Sequence, residues 1–99
     1  MLNIYKDASG SDLTLKLEGR LDTTTAPMLE AELKSAVEGI TFLAFDMTDL
    51  QYISSAGLRV LLSAQKIMNK QGSMVVRNAS DDVKEIFDVT GFSDILTIE

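Results

Sequence analysis

Phe42-Leu43-Ala44-Phe45-Asp46-Met47-Thr48-Asp49-Leu50-Gln51-Tyr52-Ile53-Ser54-Ser55-Ala56-Gly57-Leu58 is the most informative stretch of this chain. The run Phe42–Met47 is apolar almost without alternation, which predicts a central strand covered on both faces. Beyond it Leu58, Leu61, Leu62 and Met68 recur at helical spacing, widened by Val60, Ala64 and Ile67, until Gly72 ends the helix. Two serines therefore stand where a strand gives way to a helix N-terminus. Unpaired backbone N–H groups and the positive end of the helix dipole make such a place tolerant of a phosphate group. Gly57 adds no side chain in the first turn, so the reading there is a close approach of another molecule to the backbone.

On the N-terminal side, Leu2 and Ile4 alternate with polar residues, as do Leu13, Leu15 and Leu17. Both segments read as half-buried strands joined by a turn at Ala8-Ser9-Gly10-Ser11-Asp12. Thr23-Thr24-Thr25-Ala26-Pro27 opens a helix with a threonine as N-cap and a proline in its first turn. Leu29, Leu33, Ala36 and Val37 form its buried stripe, Glu30 and Lys34 pair outside, and Gly39 is read as its stop. On the C-terminal side, Met74-Val75-Val76 is a short buried strand. Ser80 caps a third helix with Asp81 and Asp82 in its first turn, Val83, Ile86 and Phe87 inward, and Gly91 at its end. Ile95–Ile98 reads as a last edge strand.

Strands alternating with helices from residue 41 onward imply parallel pairing through crossovers, preceded by an antiparallel hairpin. The expected fold is α/β: a single small domain over residues 1–99, with a mixed four- to five-stranded sheet packed with about three helices. At 99 residues and 45% apolar content, one modest core is what the chain can bury.

Composition narrows the chemistry. With no cysteine and no histidine, thiolate chemistry, disulfides and imidazole-based catalysis are excluded. A formal charge of −6 argues against nucleic acid as a partner. No apolar run approaches a membrane span, and Met1-Leu2-Asn3-Ile4-Tyr5-Lys6 does not read as a signal peptide, so no membrane insertion and a cytoplasmic location are expected. The fifteen carboxylates are not spaced with a base or a metal partner, and neither phosphate-cradling glycine motif is present. No enzyme, no cofactor and no metal are expected.

Ser55 is read as a modified or contacted residue, with a plain helix cap worth about 1 kcal/mol as the competing role. Local pattern leaves the two open, and Ser54 shares the ambiguity. Asp22 reads as a partner contact or as a turn carboxylate opening a helix. Arg59 reads as an ion-pair donor to an acidic partner or as a solvated surface arginine. Tyr52 is expected beside the loop with its hydroxyl in water.

Gly19-Arg20-Leu21-Asp22 with Thr25, the segment Asp46–Leu58, and Gly72-Ser73-Met74-Val75-Val76 followed by Val83, Ile86, Phe87 and Gly91 resemble the STAS domain of bacterial anti-sigma factor antagonists. The resemblance spans nearly the whole chain. It implies a protein that binds an anti-sigma factor of serine-kinase type and so frees a sigma factor. It further implies that phosphorylation of one serine, two residues before the motif glycine, disables binding and that a metal-dependent serine phosphatase restores it. By position that serine is Ser55, with Ser54 as second choice, and Asp22, Thr24, Ser54, Ala56, Gly57 and Arg59 fall at the expected contact surface. Ser54 stands where many members have aspartate, and Ala56 where many have a hydroxyl residue. The other function class open to such a domain is a non-switching adaptor subunit of a transporter or stress-signalling complex, with Ser55 merely capping.

Overall fold

The computed structural model describes residues 1–99. Strand β1 (Leu2–Ser9) turns back into β2 (Asp12–Leu21), and the two pair antiparallel with Ile4 opposite Leu17 and Lys6 opposite Leu15. Helix α1 (Ala26–Ala36) carries the chain to β3 (Phe42–Ile53), which lies parallel to β2. Helix α2 (Ser55–Gln71) leads to β4 (Ser73–Arg77), parallel to β3. Helix α3 (Asp81–Thr90) and a short 3-10 turn (Phe92–Asp94) complete the chain. The four strands lie in the order β1-β2-β3-β4, the mixed sheet that alternating strands and helices imply. No helix is long and apolar enough to cross a membrane.

Leu13, Leu15, Leu17, Leu43, Phe45, Met47, Met74 and Val76 are buried together with Leu29 and Leu33 of α1, Leu58, Leu61 and Met68 of α2, and Val83 and Phe87 of α3. The opposite face carries a row in register, Tyr5, Lys16, Asp46 and Arg77, of exposed or half-exposed polar residues. This corrects the expectation that β3 is covered on both faces. Its inward residues alternate from Leu43 to Met47, while Ala44, fully buried itself, is small enough to be covered by its neighbours on the open side.

β3 is also twice as long as the apolar run suggests. Asp46 pairs with Lys16 but Asp49 with Glu18, and Leu50 pairs with Gly19 but Tyr52 with Arg20, so β3 gains an extra residue on β2 twice. Each bulge shifts the facing by one position. Buried residues then fall at Met47, Leu50 and Ile53, a spacing of three that hides the strand from a period-two reading.

Local punctuation is followed closely at α3. Ser80 Oγ accepts a hydrogen bond from the Val83 N–H at 3.2 Å, Asp81 and Asp82 occupy the first turn, and Gly91 closes the helix in the left-handed region at φ 80°. Helix α1 departs from expectation: it ends at Ala36 with Val37 as C-cap, before Gly39. Glu30 and Lys34 do pair along it, at 3.3 Å. The last segment is not a regular strand either. Ile95 caps the 3-10 turn at Phe92–Asp94, and the segment Ile95–Ile98 then makes only a single parallel bridge from Ile98 to Val76, because the turn leaves too few extended residues to build a ladder.

Candidate functional site

The carboxyl ends of β2 and β3 deliver the two helix N-termini side by side. Arg20 and Tyr52 are register partners across the bulge, and the Arg20 guanidinium stacks over the Tyr52 ring 4.4 Å from its centroid. Tyr52 is exposed, with its ring under the arginine. Two residues after Tyr52, the Ser54 N–H donates to the Leu21 carbonyl at 2.9 Å, fastening the strand-to-helix junction to the end of β2. The Ser54 carbonyl then accepts from Leu58 N–H, the first bond of α2.

Asp22 organises the other helix start. Its Oδ1 accepts from the Thr24 hydroxyl at 2.8 Å, the Thr24 N–H at 3.0 Å and the Thr25 N–H at 3.2 Å. The Thr24 hydroxyl, first among these donors, holds the Asp22 carboxyl below the ordinary carboxylate range. Oδ2 lies 3.8 Å from Arg20 Nε. Thr25 is buried, and its hydroxyl donates to the Arg20 carbonyl and accepts from the Asp22 N–H, both at 2.9 Å. The expected threonine cap of α1 is therefore Thr25 by position, but its hydroxyl bonds back to β2 rather than to the helix. Asp22 thus makes the bonds of a turn carboxylate through one oxygen, while the other faces its neighbour Arg20.

The two serines at α2 differ sharply. Ser54 holds the N-cap position with extended backbone, yet its side chain makes no capping bond. Its Oγ is buried without a hydrogen-bond partner. Ser55 is the first helical residue and is exposed. Neither serine is a side-chain cap.

Gly57 corrects the sequence reading of its role. It is buried, and a Cβ built there would come within 2.7 Å of Leu21 Cγ and 2.9 Å of Ile53 Cγ1. The missing side chain lets the helix settle on the sheet; it faces the core, not an approaching molecule. Ala56, partly buried at the edge of the core, and Arg59, exposed, lie toward α1 instead. With Val60 and Ser63 of α2, and Thr23, Ala26, Pro27 and Glu30 beside α1, they line a groove of about 380 Å³ between the two helices. Sequence reasoning assigned no role to Thr23 or the Glu30 carboxylate in such a groove, because only helix packing brings α1 beside α2. Nor did it foresee the Arg20–Tyr52 stack, which depends on a bulged register.

The structure thus brings Asp22 and Thr24 into one hydrogen-bonded turn and Ala56 and Arg59 into one groove wall. It leaves Ser55 in solvent and turns Gly57 inward. No group of His, Cys, Asp and Glu residues is placed to hold a metal ion.

A model of the STAS domain family matches residues 3–99. The anti-sigma-B factor antagonist of Bacillus subtilis (strain 168) is 31% identical over 98 residues, covering 98% of this chain and 90% of that protein. Solved structures share the fold at lower identity. An anti-sigma factor antagonist from Mycobacterium paratuberculosis matches with a TM-score of 0.89 at 19% identity, over 99% of this chain and 85% of that one. The Bacillus cell fate determinant SpoIIAA in its phosphorylated form matches with a TM-score of 0.75 at 16% identity, over 100% and 91%.

Proposed function

The chain belongs to the STAS domain family, and from that premise we propose that it is an anti-sigma factor antagonist switched by phosphorylation of Ser55. It acts by binding. Its partner is an anti-sigma factor of serine-kinase type, and engagement of that partner releases a sigma factor. The kinase transfers a phosphoryl group to Ser55 Oγ, and a serine phosphatase removes it.

The observation that supports Ser55 over Ser54 is exposure. Ser55 stands in solvent at the first position of α2, whereas Ser54 Oγ is sealed in the junction. A kinase reaches the first without unfolding anything. A phosphate there meets the free N–H groups and dipole of a helix start, so the domain keeps its fold while its surface charge changes. Against a partner carboxylate roughly 6 Å away, a −2 charge costs about 1.4 kcal/mol in water-like dielectric and about 5 at an effective dielectric near 20. That is roughly tenfold to several-thousandfold in affinity, enough for an on/off interaction. The proposed contact surface is made of Asp22 and Thr24 at the start of α1 and Ala56 and Arg59 in the first turns of α2.

The test is peptide mapping of the protein from its native cells, followed by a pull-down with unmodified protein and Ser55→Asp. A phosphate on Ser55, with an ATP-binding anti-sigma factor recovered by the unmodified form and lost by Ser55→Asp, is the expected result. Transporter subunits in the pull-down and no phosphate under any growth condition would replace the switch by an adaptor role.

A further inference from the structure

Helix α2 carries Arg59, Lys66 and Lys70 and no acidic residue, in a chain with fifteen Asp and Glu against nine Lys and Arg. At about 100° per residue, Lys66 lies about 20° to one side of Arg59, Lys70 about 20° to the other, and Ser55 about 40° away. All four are exposed. They form one stripe about 22 Å long that begins at Ser55 and runs to the last turn of the helix.

These cations are also unengaged. The ion pairs of the chain use Lys6, Lys16, Arg20, Lys34 and Arg77. Of the four cations outside them, only Lys84 lies off α2. The helix dipole accounts for Lys70 in the last turn, but not for Arg59, which sits one turn from the positive end. Charge is segregated elsewhere too, since α3 presents Asp81, Asp82, Glu85 and Asp88 against Lys84 alone.

We infer that the exposed face of α2 is a docking surface for an acidic face of the anti-sigma factor, continuous with the switch serine. The inference rests on the function proposed above and deepens it. Charge complementarity selects the occupant: three free cations on one face of an acidic chain attract a carboxylate-bearing surface and repel a basic one. Ser55 lies one turn before Arg59, the spacing at which helix side chains meet. A phosphate on Ser55 competes with the partner's carboxylates for that guanidinium. Modification then withdraws an attraction as well as adding a repulsion.

The test compares wild type, Lys66→Glu and Lys84→Glu, two variants with the same charge change at exposed, unpaired lysines. Each is titrated calorimetrically against the purified anti-sigma factor that the Ser55 pull-down identifies. Lys66→Glu is expected to weaken binding by about tenfold at low salt and less at high salt, with Lys84→Glu within about twofold of wild type. Carbodiimide coupling is expected to join Lys66 or Lys70 to an Asp or Glu of the anti-sigma factor. Equal affinity of the two lysine variants, with binding still lost in Ser55→Asp, overturns this inference and leaves the proposed function standing. Absence of any anti-sigma factor bound by wild type removes both. Coupling of Lys66 or Lys70 to α3 carboxylates of a second copy, with concentration-dependent dimers, overturns it in favour of self-association.

Discussion

Gly57 stands against Leu21 so closely that a Cβ added to it would lie 2.7 Å from Leu21 Cγ. Leu21 is fully buried at the end of β2 and cannot swing away. Gly57→Ala is therefore expected to destabilise the fold by about 1–3 kcal/mol through overpacking, offset by up to about 1 kcal/mol of helix propensity. Denaturant unfolding checks this. A variant as stable as wild type, or more so, would show that the helix seats itself without the glycine.

Ser54→Ala has the opposite expectation. The hydroxyl is buried, unpartnered and makes no capping bond, so its removal relieves a desolvated polar group. Stability is expected to stay level or rise by up to about 1 kcal/mol. A capping serine would instead lose about 1 kcal/mol, and thermal melting distinguishes the two.

Ser55→Asp places a negative charge at the first position of α2. It is expected to melt at or slightly above the wild-type temperature, since an anion at a helix N-terminus contributes about 0.3–1 kcal/mol. Loss of partner binding in this variant then reports on the surface and not on unfolding. A melting temperature several degrees below wild type would sink that interpretation.

Asp22 gives the acid limb a specific shape. Its carboxyl is held below the ordinary range, chiefly by the Thr24 hydroxyl and then by backbone N–H groups. A depressed folded-state pKa contributes stability that is present above the unfolded value of about 3.9 and is lost as pH falls through the folded value. The stability gap between wild type and Asp22→Ala is expected to be constant from about pH 7 to 5 and to shrink below about pH 4. A gap independent of pH down to about 2 would mean that the turn is held by something other than the ionised carboxylate.

Legibility in the sequence followed how local the cause was. Helix α3 could be read from Ser80 to Gly91 because its cap, first-turn acids and left-handed stop all act within one turn of themselves. β3 could be read only to Met47, because two bulges against β2 change its facing and only the register of a strand some thirty residues earlier reveals them. Local pattern found the junction serines without ranking them, and the family resemblance put Ser55 first. The tertiary structure adds a physical difference, a buried Ser54 hydroxyl beside an exposed Ser55.

What the amino-acid order determined by itself was the element sequence, the parallel crossover architecture, the position of the switch candidate and the exclusion of imidazole and thiol chemistry. Periodicity, caps and composition are short-range or additive properties, and they survive without knowledge of any partner element. What only the tertiary structure decided was direction. Gly57 points inward because Leu21 and Ile53 lie beneath it, Asp22 gives one oxygen to its own turn and leaves the other toward Arg20, and Arg59, Lys66 and Lys70 are left without an ion pair within the chain. Direction depends on which distant residues come to lie alongside, and a linear pattern does not carry that.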